Sequence, residues 1–101
     1  MLAVRFDEGR EWWVARWVLE RLFESALEDK LLAPDLGEWL YVARSSGGLA
    51  LPTLDPPVAR ALVEGLVATA QAELTRLGSV EPASHDGSYK AALEKLVALA
   101  P

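Results

Sequence analysis

The sequence predicts a mainly α-helical fold, a small bundle of about four helices forming one domain over residues 1–101. Three observations point there. Apolar residues recur at three- and four-residue spacing over long stretches. Proline and glycine stand where such stretches begin and stop. With 51% hydrophobic and 25% charged residues, the chain holds enough apolar surface to offset its conformational entropy. A chain of this length is expected to form one core.

Taken in order, Asp7 is placed to cap a first helix running to about Leu32, with Trp12, Ala15, Leu19, Leu22, Phe23 and Ala26 on its apolar stripe. Pro34 ends it, because proline restricts the residue before it and cannot donate to the preceding turn. Asp35 followed by Glu38 reads as a capping box for a short second helix carrying Leu36, Trp39, Leu40 and Ala43, which Gly47 and Gly48 end. Residues 39–52 also read as a β-hairpin whose loop is Ser45 to Gly48, and Leu2 to Phe6 then supply a short N-terminal strand, an α+β alternative. The helical propensity of Leu, Glu, Ala and Arg tips the segment toward helix. Asp55 as cap and Pro56 at the first helical position open a third helix, which Gly78 closes. A last helix starts near Asp86 or Ser88 and carries Tyr89, Leu93, Leu96 and Val97 on one side.

Composition removes several classes of function. There is no cysteine, hence no disulfide framework, thiolate metal site or cysteine nucleophile. The start, Met-Leu-Ala-Val-Arg-Phe-Asp-Glu, turns acidic before any apolar run long enough for a secretory leader, so a cytoplasmic protein is expected. The net charge of −5 gives a field that repels phosphate backbones and anionic lipid, which argues against nucleic acid and membranes as partners. Asn and Ile are absent and Arg outnumbers Lys, as in coding from a high-GC bacterial genome; scarce Asn, Gln, Cys and Met also fit heat adaptation, and the two causes predict the same depletion.

No catalytic, cofactor or metal site is expected. His85 is the one histidine, so multi-histidine metal motifs cannot occur. Ser84, His85 and Asp86 are contiguous, an arrangement that rarely lets nucleophile, base and carboxylate meet, and they read as a solvated loop at the start of the last helix. Ser45 to Gly48 lacks the Gly-Lys-Ser/Thr sequel of a phosphate loop and reads as a connector. Glu20, Glu24 and Glu28 share one helical face with Arg16 and Arg21 near enough to neutralise them, which makes a solvated charged face.

Two surfaces remain. Wound as a helix, residues 13 and 17 fall outside the main stripe and one turn apart, so Trp13 and Trp17 need a cover, either another helix of this chain or a partner. Arg10, Trp13, Trp17 and Arg21 have the composition of a protein-binding hot spot, where a rigid plane or planar fork gains contact for little lost rotamer freedom. Ala61, Gly65, Ala68 and Ala72 form a small-residue ridge on the third helix, suited to packing within the chain or across a dimer. The expectation is a small acidic protein-interaction module, homodimeric or an accessory, immunity-like or antitoxin-like partner of another protein, using the Trp13 and Trp17 face. The alternative is a small-molecule sensor in which Trp12, Phe23, Trp39 and Tyr41 line an aromatic pocket between helices.

Overall fold

The computed structural model describes residues 1–100. The chain opens with two strands, β1 (Leu2–Asp7) and β2 (Arg10–Val14), then forms α1 (Arg16–Glu28). A 3₁₀ turn (Pro34–Glu38) runs into α2 (Trp39–Ser46) and the short strand β3 (Gly48–Ala50). A second 3₁₀ turn (Leu51–Thr53) leads to α3 (Pro56–Leu77), and α4 (His85–Leu99) completes the described fold. The protein is thus mainly α, four helices with one small three-stranded sheet, as the sequence indicates, and it also contains the N-terminal strand of the α+β alternative.

The first helix is shorter than its apolar spacing suggests. Asp7 does not cap it; Asp7 ends β1 opposite Arg10, the two-residue turn between them is Glu8 and Gly9, and Gly9 takes φ +91°, a conformation that favours glycine. Across the turn, Leu2 pairs with Val14 and Val4 with Trp12, so these four side chains share one face of the sheet and are all buried. Alternation of period two over Trp12, Trp13 and Val14 therefore overrides the helical spacing of Trp12, Ala15 and Leu19. The register shifts between Arg5 and Asp7, a bulge that sets Phe6 apart from the ladder.

Strand β3 pairs in parallel with the outer side of β1, Val4 opposite Leu49, giving the order β2-β1-β3. The hairpin reading of residues 39–52 fails because 39–46 are helical and β3 turns to β1, not back on its predecessor. Gly48 is required here by close approach: a Cβ would stand 1.9 Å from the Ala3 carbonyl oxygen.

One hydrophobic core lies between the sheet and the helices. Leu2, Val4, Trp12, Val14 and Leu49 meet Leu19, Leu22 and Phe23 of α1, Leu62 and Leu66 of α3, and Leu93 and Leu96 of α4. Each fully buried leucine or phenylalanine there contributes on the order of 1.5–3 kcal/mol. The Trp12 indole reaches across the core and donates to the Ala92 carbonyl at 3.0 Å, which binds β2 to α4. The Cα radius of gyration is 12.7 Å, close to the roughly 13 Å of a compact chain this long. No helix among the described residues is long and apolar enough to cross a membrane.

Candidate functional site

The four residues singled out as a binding face are brought to two places. Arg10 opens β2 and closes on the Asp7 carboxylate at 2.7 Å, so it serves the hairpin turn. Trp13 lies on β2, opposite Ala3 in the register, and Trp17 lies on the first turn of α1. They are therefore not neighbours on one helix, as the sequence suggests. They nevertheless border one groove of about 420 Å³, because the chain turns from β2 into α1 between Val14 and Arg16. The opposite wall is α4, through Ser88, Ala91 and Lys95.

The two indoles differ in how they are held. Trp17 is half-buried; its ring stacks on His85, centroids 3.8 Å apart and planes 22° apart, and lies 6.2 Å from the Tyr89 ring. Arg21, one turn further along α1, bonds Asp86 at 3.0 Å while its guanidinium sits 3.9 Å above the Tyr89 ring. Ser84, His85 and Asp86 stand at the entry of α4, where His85 and Asp86 are exposed as expected, but they also make contacts that the sequence does not show. Ser84 caps α4 by accepting from the Gly87 amide, and the next two residues fasten the first turn of α4 to α1. Trp13 has no such fastening among the described aromatic pairs and is 59% exposed.

Behind Tyr89 lies a polar cluster that the sequence reading missed. Glu73 of α3 is a carboxylate only 1% exposed. Its Oε1 accepts from Ser25 Oγ of α1 and from the Tyr89 hydroxyl of α4 at 3.3 Å, and its Oε2 is paired with Arg76, whose side chain reaches solvent. A buried carboxylate is costly unless fully partnered, and this one ties three helices together. Burial pushes the Tyr89 hydroxyl above its ordinary pKa, an effect that Arg21, the hydrogen bond with Ser25 and Arg76 partly offset. A signal for Glu73 was present. It continues the Leu62, Leu66, Thr69, Ala70 row at helical spacing, so it had to face the core.

The remaining sequence candidates are placed as follows. On α3, Gly65 is buried where a Cβ would stand 2.8 Å from the Leu31 carbonyl oxygen, so this part of the ridge lets the segment after α1 cross closely. Ala61 and Ala68 are half-buried and Ala72 is exposed. Trp12, Phe23, Trp39 and Tyr41 do not converge: the first two are core, Trp39 lines a cleft beside α2, and Tyr41 is 69% exposed. Arg21 is drawn to Asp86, and Glu20 faces Arg44 of α2 at 3.9 Å instead. Among the described residues, no group of three or more His, Asp or Glu side chains could hold a metal ion.

Chemically, the groove offers an apolar floor with one flexible cation, Lys95, and no arrangement of nucleophile, base and polarising donor. Comparison with models of protein families, with curated proteins and with solved structures found no match for this chain.

Proposed function

We propose that this domain is a small protein-interaction module whose contact surface is the groove bounded by Trp13 and Trp17 on one side and by α4 on the other. One observation carries the reading: Trp13, a large apolar plane, is 59% exposed at the mouth of a groove whose neighbouring indole is already held by His85. An exposed tryptophan beside a fixed one supplies contact area at little further cost in side-chain freedom, the property that enriches tryptophan at binding hot spots. Arg10 and Arg21 frame this surface only indirectly, since their charges are taken by Asp7 and Asp86. Self-association through this face is the form of the proposal that needs no second protein, and a foreign partner is the other.

The test compares wild type with Trp13→Ala. Light scattering after size exclusion reads self-association, and affinity capture from the source cells with either protein as bait reads foreign partners. The expected result is a dimer or a captured partner lost in the variant, with the thermal transition unchanged. A wild-type monomer that captures nothing specific, or an association that Trp13→Ala leaves intact, overturns the proposal.

A further inference from the structure

The outer face of the sheet carries charges of both signs beside an exposed indole. Along β1 and β2, the residues that alternate with the buried set are Ala3, Arg5, Glu11 and Trp13. In register, Ala3 stands opposite Trp13 and Arg5 opposite Glu11, and β3 adds Gly48 beside Ala3 and Ala50 beside Arg5. Arg5, Glu11 and Trp13 are exposed, while Ala3, Gly48 and Ala50 are half-buried. Helix α2 borders this face through Trp39 and Val42, and between helix and sheet lies a cleft of about 390 Å³ that the three small residues also line.

Two properties of this face fit a second copy of the same surface. The first is charge. Arg5 and Glu11 are cross-strand neighbours, yet neither has an ion-pair partner among the described residues. The second is shape. Trp13, 59% exposed, is a large knob in the same cross-strand row as the small residues Ala3 and Gly48. A face that holds both a cation and an anion, both a knob and a shelf, is self-complementary, as a two-fold interface requires.

A two-fold axis running along the strands, between β1 and β2, lays β2 of each copy over β1 of the other. Row by row, it sets Trp13 on the partner's Ala3, at the rim of the cleft beside α2, and Glu11 against the partner's Arg5. Symmetry makes each contact twice. Sheets packed face to face stand about 10 Å apart. Extended arginine and glutamate side chains together close such a gap, and a tryptophan over an alanine fills it.

We propose that the domain forms a two-fold dimer through this sheet face, with Trp13 seated on the partner's Ala3 and reciprocal ion pairs between Arg5 and the partner's Glu11. The proposal rests on the reading of Trp13 as a contact residue and names a second copy of this chain as what it contacts. Three short strands make a small interface beside the roughly 800 Å² per partner of a standard one, so association is measured up to submillimolar concentration.

The test is a charge exchange followed by light scattering. Arg5→Glu and Glu11→Arg each set like charges against each other across the two-fold, and each should weaken self-association at least about tenfold. An equimolar mixture of the two variants brings opposite charges together again at both contacts, and it should associate as well as wild type. Circular dichroism checks folding. Concentration-dependent amide NMR shifts of the wild type, expected at Ala3, Arg5, Glu11 and Trp13, locate the interface whether or not a variant folds. A wild type that stays monomeric overturns the proposal, as do shifts confined to α4, folded single variants that associate like wild type, or a mixture that fails to regain what the single variants lose. A dimer that Trp13→Ala dissolves and the charge changes leave intact would keep the groove reading and remove this one.

Discussion

Where α1 meets α3, polar groups have been taken into the core and every one has a partner; where α1 meets β2 and α4, an indole stands in water. Glu73 is fully buried, yet Ser25, Tyr89 and Arg76 satisfy it, and no buried side-chain nitrogen or oxygen among the described residues lacks a hydrogen bond. Trp13 is apolar, yet more than half of it is exposed. The first place contradicts simple partition of polar and apolar groups but is closed to any visitor. The second contradicts it and is open. Only the open exception has a surface left with which to act, and that difference is why the functional proposal rests on Trp13 and not on Glu73.

Mutation can break this contrast or sharpen it. The largest effect is expected at Glu73→Ala, which strands Ser25 and Tyr89 and leaves a hole; chemical denaturation should show a loss of about 2–4 kcal/mol. The pairing with Arg76 adds little to that figure, because the Arg76 side chain is 63% exposed and screened by solvent. A loss under about 1 kcal/mol would mean that the three-helix tie is slack and the contrast false. Next comes Trp17→Ala, which removes a half-buried ring and its stack on His85, at about 2 kcal/mol by the same measurement.

Smaller again is Tyr89→Phe, which deletes one hydrogen bond to Glu73 and should cost about 1 kcal/mol near neutrality. Its pH dependence is more telling. Because the Tyr89 pKa is raised in the fold, the neutral form is the stabilised one, so this contribution is complete below the unfolded value of about 10 and is lost as pH rises through the folded value. Wild type should lose stability above about pH 10 more steeply than Tyr89→Phe in paired urea titrations; parallel curves would show that Tyr89 ionises freely. The smallest effect on stability belongs to Trp13→Ala, within about 0.5 kcal/mol of wild type, while association is lost. A large loss of stability there would make Trp13 a structural residue and remove the basis of the interaction proposal.

The parts of the fold that the sequence shows are those governed by local chemistry. Helix α3 runs from Pro56 to Leu77 between the signals that announce it, although Asp55 accepts no side-chain capping bond; the fixed φ of Pro56 and the stop at Gly78 suffice. Helix α2 ends at Gly47 as its glycines indicate. The N-terminal error has an equally local cause. Acidic residues before an apolar run fit either a helix start or a hairpin turn, and the helical spacing of Trp12, Ala15 and Leu19 competes with the period of two in Trp12 and Val14, a contest decided by the pairing of Val14 with Leu2 across the chain. Partners far apart in the chain left no local mark: His85 beneath Trp17, Asp86 on Arg21, and the parallel register of Ala3 with Gly48 all depend on how the helices are stacked. Residue type alone points to Trp13 and Trp17, while the groove they share comes from the turn between β2 and α1 and not from helical spacing.

The strand order β2-β1-β3 bears on how the domain comes together in time. Strands β1 and β2 are joined by a tight turn and can pair as soon as both exist, on the microsecond scale of hairpins. Strand β3 is three residues long, pairs in parallel, and must find β1 across the whole of α1 and α2, with the Gly48 backbone fitted against Ala3. So short a pairing cannot repay its loop-closure entropy until those helices have packed. The sheet should therefore be completed last, after α1 and α2 have docked, which makes β3 the part of the core that opens first when the native state fluctuates.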